Sequence, residues 1–148
     1  MRDIIMDLNK VFQPRPEDVV EKWVVVDAAN QVVGRLATQI ANLIRGKHTV
    51  CVMPHVKTGV RVVVVNAEKI IMTGNKMTEK EYWHYTGWRG NKKNYTSKDL
   101  FNKNPEHILY HAVKGMMRKC RMDNQLLDSH LKLYKGNNHP HAAQVAAA

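Results

Sequence analysis

Cysteine is nearly absent from this 148-residue chain: Cys51 and Cys120 stand alone, outside any Cys-x-x-Cys pair. One possible disulfide is no framework for a secreted fold, so the expectation is a reducing compartment. Serine is as scarce, with only Ser97 and Ser129 and no Gly-x-Ser-x-Gly turn around either, which removes the usual setting of a serine nucleophile. Acids thin out after the first two dozen positions: residues 24–148 hold eight Asp and Glu, none arranged as a motif pair. Phosphate-cradling turns are missing too. Asp27-Ala28-Ala29-Asn30 stands where Gly-x-Gly-x-x-Gly would follow a first strand, and Thr73-Gly74-Asn75-Lys76 lacks the spacing of a P-loop. A Cys51 nucleophile with His48 or His55 as its base can be drawn. Yet Cys51 sits in the apolar strip Val50-Cys51-Val52-Met53, where an inert thiol is the expected role. His139-Pro140-His141 offers two imidazoles, whereas structural zinc takes four ligands, usually with thiolates among them. No apolar run approaches the ~20 residues that span a bilayer. The N-terminus has no hydrophobic signal core, and Asp3 and Asp7 argue against a transit peptide. The expectation is therefore a protein without enzyme activity, cofactor, metal, membrane anchor or small-molecule substrate, working in the cytoplasm where it is made.

What is present in excess is positive charge. Twenty-three Lys and Arg against thirteen Asp and Glu give a net charge of +10. The first 23 residues carry four basic and five acidic groups, so the whole excess lies downstream. Such a field attracts polyanions, nucleic acid before anionic membrane. Apart from charge the composition is that of a soluble protein, 44% hydrophobic and 24% charged. One domain of this length buries roughly 70% of its unfolded surface without staples.

The chain is organised around residues 60–66, Val-Arg-Val-Val-Val-Val-Asn. β-branched side chains suit a pleated backbone. The run does not alternate with polar residues, so both faces of the strand should be covered, as in an α/β sandwich. Asn66 and Thr73-Gly74-Asn75-Lys76 lie at or beyond its C-terminal end, the edge where open α/β sheets bind ligands. Upstream, residues 1–22 read as a polar arm broken by Pro14 and Pro16, and residues 23–27 as a first strand. Residues 34–45 form a helix with the stripe Leu36, Ala37, Ile40, Ala41 and Ile44, closed by Gly46. Strand, helix and strand make a βαβ unit whose crossover should be right-handed. Downstream, residues 81–86 and 91–96 read as a hairpin around the connection 87–90, with a helix from Thr78 as the competitor. Residues 97–102 form a short helical piece. Residues 105–117 form a second long helix, capped by Asn104, with Ile108, Leu109, Ala112, Val113 and Met116 buried. Gly115 interrupts it at roughly 1 kcal/mol against Ala, so either the helix ends there or something approaches its backbone. Residues 123–130 form another helix, residues 131–134 a last strand, and residues 136–148 a loose tail. The domain division is thus an arm at 1–22, a single α/β domain at 23–136 and a tail at 137–148.

Three basic clusters point to nucleic acid. Residues 82–98 interleave Tyr82, Trp83, Tyr85, Trp88 and Tyr95 with Arg89, Lys92, Lys93 and Lys98, with no acid among them. Cations meet phosphates while flat rings stack on bases. Lys114, Arg118, Lys119 and Arg121 crowd a helix end beside Gly115. Arg45, Lys47, His48 and Lys57 flank the long loop of residues 47–59, which holds no acid. The histidines of His139-Pro140-His141 suit stacking on bases or donation to phosphates. No recognition helix or RNP signature is present, so the contact should read backbone and shape. A structural RNA-binding protein, a free-standing RNA- or DNA-binding regulator and a nuclease-like enzyme are the three candidate classes. The scarcity of acids for metal-assisted hydrolysis weighs against the last.

At these same residues the chain resembles the bacterial-type large-subunit ribosomal protein thirteen family. The resemblance rests on Gly34-Arg35-Leu36-Ala37-Thr38, Gly46-Lys47-His48, Pro54-His55-Val56 with Thr58-Gly59, and Asn66-Ala67 through Thr73-Gly74-Asn75-Lys76. It continues in Tyr85-Thr86-Gly87, Ala112-Val113-Lys114-Gly115-Met116, and Leu133-Tyr134-Lys135-Gly136 leading to His139-Pro140-His141 and Gln144. It implies a three-layer α/β/α sandwich around a short, mostly parallel sheet, bound to large-subunit ribosomal RNA early in assembly beside neighbouring ribosomal proteins, in one copy and without enzyme activity. Arg35, His55, Lys76 and Lys135 within these motifs join the RNA-binding candidates, as does Gly115, whose missing side chain leaves room for an RNA backbone. The chain departs from the family pattern at Val60, Tyr85 and Met117-Arg118, and in a longer, more acidic N-terminal arm.

Overall fold

The valine run forms the middle strand of a parallel three-stranded sheet in the computed structural model, which describes residues 19–49 and 52–146. Strands β1 (Lys22–Asp27), β2 (Val60–Val65) and β5 (Leu131–Leu133) lie in the order β1-β2-β5. Val64 sits opposite Val26 on one side and Leu133 on the other. Side chains alternate across the sheet, so Val62 and Val64 face one layer and Val63 the other, and all three are fully buried. Helices α1 (Val33–Ile44), α4 (Pro105–Met116) and α5 (Arg121–His130) join Val62 and Val64 in one apolar cluster through Leu36, Ile40, Ile108, Leu109, Leu126 and Leu127. The opposite face carries Trp23, and the short helix α6 (Ala142–Ala146) packs along β1. The sheet is thus flanked by helices in a mixed α/β fold, its two covering layers of unequal thickness.

All five residues of the expected α1 stripe are buried, and Gly46 ends the helix at φ +66°, where a side chain would also strike Thr58. In α4 the pattern slips at its end. Ile108, Leu109 and Val113 are buried, Ala112 is half-buried, and Met116 is 40% exposed. Met117 takes the buried place instead, because the chain turns extended there (ψ 158°) and helical spacing no longer applies. Asn104 does not cap α4 with its side chain; its backbone N–H closes α3 (Ser97–Lys103) onto the Leu100 carbonyl. α3 is capped by Thr96, whose hydroxyl accepts from the Asp99 N–H. Thr78 starts no long helix, since α2 (Lys76–Glu79) is a single turn and the Thr78 hydroxyl donates back to the Asn75 carbonyl. The tail is not loose over residues 137–146: it contains α6 and packs the His141 ring 5.1 Å from Trp23. The arm of residues 1–18 lies outside the described residues.

Asn66 serves the fold. At φ +58° its amide donates to Asp27 Oδ1 (2.9 Å), and its N–H donates to the Gly136 carbonyl (3.0 Å), which ties the C-terminal ends of all three strands together. The Asn66 amide, then the Ala29 N–H, hold the Asp27 carboxyl below its ordinary pKa of 3.8, with Lys69 helping and burial opposing. A carboxylate whose folded pKa is depressed stabilises the fold above its unfolded value, and that stabilisation is lost as pH falls through the folded value. We expect Asp27→Asn to lower the urea midpoint at pH 6, with the gap to wild type closing as pH falls below 3.8 and through the folded value. A gap that persists unchanged into acid would place the effect outside the carboxylate charge.

Candidate nucleic-acid interface

The aromatic cluster forms a separate two-stranded hairpin, β3 (Glu81–Tyr85) and β4 (Lys92–Thr96), with its connection running over residues 86–91. Ser97, fully buried, anchors its base: both its hydroxyl and its N–H donate to the Lys80 carbonyl (2.9 Å each). Alternation sorts the rings. Tyr82, only 9% exposed, turns inward and meets His111 edge-on at 5.2 Å, with Lys80 Nζ 5.0 Å over the ring. Trp83 and Tyr85 point the other way and are 66% and 51% exposed, while Trp88 at the tip is 78% exposed. Lys92 Nζ lies 5.5 Å over the Trp83 ring. Large rings held open beside Lys92, Lys93 and Arg89 can stack on bases while the cations meet phosphates.

The other two clusters meet through a residue that charge counting passed over. Asp123 is 4% exposed; its Oδ2 accepts from the Arg118 N–H (3.0 Å) and lies 4.0 Å from Arg45 Nε. This brings Arg45, Lys47 and the segment of residues 52–58 alongside Arg118, around a small cavity of about 60 Å³. Lys47, His48, His55, Lys57, Lys114, Lys119 and Arg121 all stay exposed. Arg45, by contrast, is engaged by Asp123. The Asp123 N–H in turn finds the Cys120 sulfur (3.4 Å), so this exposed cysteine serves as the N-cap of α5. Cys51 lies outside the described residues.

His139 and His141 are drawn into the fold. His141 Nε2 is 2.9 Å from the Tyr134 hydroxyl, and Arg61 covers the Trp23 ring at 5.2 Å. His139 Nδ1 accepts from the His141 N–H (3.3 Å), while Lys135 remains exposed beside them. Arg35 and Lys76 are exposed, and Lys76 Nζ donates to the Thr73 hydroxyl (3.3 Å). The Gly34 that precedes Arg35, Lys76 and Gly115 all line one groove, together with Lys80 and His111. Burial first, then the nearby His107, Lys80 and Lys114 charges, pull the His111 pKa down. Sequence reading missed Lys80 and His111, because Glu79 and Glu81 balance the local charge around Lys80. Among the described residues no three His, Cys, Asp or Glu side chains gather as metal ligands, and no helix is long and apolar enough to cross a membrane.

Comparison with known proteins identifies the family. The family described as Ribosomal protein L13 matches residues 21–140. The large ribosomal subunit protein uL13 of Maridesulfovibrio salexigens is 49% identical over 135 residues, which cover 91% of this chain and 94% of the relative. The uL13 proteins of Thermoanaerobacter sp. (strain X514) and Lawsonia intracellularis are 47% and 45% identical over the same length, covering 94% and 93% of those chains. The chain belongs to the ribosomal protein L13 family.

Proposed function

We propose that this chain binds large-subunit ribosomal RNA and supports assembly of the subunit, in one copy per particle beside neighbouring ribosomal proteins. Family membership makes it a structural component of the large ribosomal subunit and not an enzyme; the RNA contact and the assembly role are our reading. The observation that carries it is the hairpin, where Trp83, Tyr85 and Trp88 are held out among cations and away from the apolar core. Exposed aromatics of this size have no folding role there, and stacking on unpaired bases supplies one. Residues 23–136 form the binding domain, and a cytoplasmic bacterial ribosome is the setting, in keeping with the bacterial relatives. Phosphates fall to Arg89, Lys92 and Lys93 on the hairpin, to Lys114, Arg118, Lys119 and Arg121 beyond α4, and to Arg35, Lys47, His48, His55, Lys57, Lys76 and Lys135 elsewhere. His139 and His141 contribute by holding the tail against Trp23.

The test is binding to purified large-subunit ribosomal RNA across a range of salt. Each cation that displaces a condensed counterion adds about one to the log–log slope. Lys92→Ala with Lys93→Ala should lower that slope by about two. Trp88→Ala should weaken binding about tenfold and leave the slope nearly intact, because stacking releases no counterion. Equal slope losses for the two changes would overturn the division between rings and cations. Absence of RNA binding by wild type would overturn the function itself.

A further inference from the structure

Gly34 and Gly115 share a puzzle. Both lie in the end turns of helices, Gly34 second in α1 and Gly115 second from the end of α4, where glycine costs up to about 1 kcal/mol against alanine, and neither has a positive φ. A Cβ built at either would meet nothing within 4 Å. The fold's own packing therefore gives no reason for a missing side chain at either position. Both open onto one groove of about 830 Å³, between the start of α1, the end of α4 and the segment that leads into β3.

The surface of this groove is mostly apolar, with Ile71 and Met116 left 44% and 40% exposed and Met72 half-buried between the helices. Tyr82 and His111 add two rings, packed edge to face. Lys76 and Lys80 stand on its rim, and Arg35 and Lys114 adjoin the two glycines in sequence. The single acid in its lining, Glu79, already accepts from the Asn75 amide (3.3 Å). The start of α1 has neither an acid in its first turn nor a side-chain cap, so its partial positive charge adds to that of the lysines. An apolar slot with a cationic rim matches a nucleotide, whose base is flat and apolar on both faces and whose phosphates are anionic. The groove is also continuous with the hairpin, since Tyr82 lines it from the inner face of β3 while Trp83 and Tyr85 occupy the outer one.

We propose that this groove receives one unpaired base of the bound RNA, with the adjoining phosphates on Lys76 and Lys80, and that Gly34 and Gly115 are glycines because the base and its sugar need that space. The inference rests on the RNA-binding reading above and adds a second contact to it. An apolar peptide from a neighbouring protein is the competing occupant.

Full-length wild type, Gly115→Val, and the pair Lys76→Ala with Lys80→Ala are bound to purified bacterial large-subunit ribosomal RNA. Base-specific methylation and carbodiimide probing report the bases, and hydroxyl-radical cleavage reports the backbone. Wild type should protect a base that is reactive in free RNA. Gly115→Val should return that base to its free reactivity and weaken binding about tenfold, while melting near the wild-type temperature and keeping the backbone protections made by the hairpin. The lysine pair should lose the same base protection and lower the salt slope by about two, which keeps the test intact if Gly115→Val melts early. Unchanged base protection and affinity in both variants, while Lys92→Ala with Lys93→Ala still weakens binding, would overturn the groove proposal alone and favour a peptide occupant. Failure of wild type to bind the RNA would overturn both readings.

Discussion

Val64→Asp is expected to lower stability by about 4 kcal/mol or more, a fall of about 10 °C or more in Tm for a chain of this size. Val64 is fully buried in the middle of β2, with Val26 and Leu133 beside it and the apolar cluster of α1, α4 and α5 against it. A carboxylate placed there has two ways out, protonation or unfolding. Its folded pKa must rise above the unfolded value, so the folded state holds a proton that the unfolded state releases. Stability then falls as pH rises through roughly 4 and keeps falling to the folded pKa, the reverse of the behaviour expected around Asp27. Val25→Asp is the control. It is one position from the core face of the adjacent strand, 39% exposed, and should lose no more than about 1 kcal/mol. Equal Tm losses for the two would mean that the sheet does not present opposite faces to different environments.

That contrast shows what was legible in the sequence. A run of valines without polar alternation reads as a doubly covered strand, and it is one. The α1 stripe, spaced at a helical period and followed by a glycine, is buried at every position. The hairpin is legible because two aromatic-rich segments flank a connection bounded by glycines, and Gly87 and Gly90 take the positive φ that such connections need. The failures have a common cause. Met116 continues the helical period and so reads as core, yet it is the last residue of α4 and stays exposed, and no local pattern marks that Met117 turns extended and takes the buried place. The tail lacks any period, and what orders it is a contact between His141 and Trp23 across more than a hundred positions.

The site divides in the same way. Positive charge and exposed rings are properties of residues, so the hairpin and the basic clusters can be found by inspection. Their grouping depends on topology. Arg45 and Arg118 adjoin because Asp123, nearly inaccessible, accepts from the Arg118 N–H and carries its charge 4.0 Å from Arg45 Nε. Sequence shows Asp123 only as one of the few acids. Gly34 and Gly115 meet on one groove because α1 packs against α4, a pairing that neither helix encodes alone.

Gly59→Ala and Gly115→Ala should move stability in opposite directions, although the two glycines look alike in sequence. A Cβ at Gly59 would stand 2.5 Å from the Val20 carbonyl oxygen and 2.9 Å from the Glu21 Cα. Both are backbone atoms, so no side-chain rotation relieves the clash. The chain leading into β1 crosses here against the start of β2, and the Lys22 N–H donates to the Gly59 carbonyl (3.0 Å) just before the Lys22–Val60 pair opens the ladder. Alanine must push the two segments apart, which strains or breaks that bond. A loss of about 2–3 kcal/mol follows, or roughly 5–10 °C in Tm. At Gly115 the same methyl group meets open space in an ordinary helical conformation. Alanine there reduces the entropy of the unfolded chain and should raise stability by up to about 1 kcal/mol. Thermal melts of the two variants beside wild type decide the matter. A neutral Gly59→Ala would mean that β1 and β2 do not approach as closely as their backbones indicate, and a destabilised Gly115→Ala would mean that the groove beside it is already occupied by the chain itself.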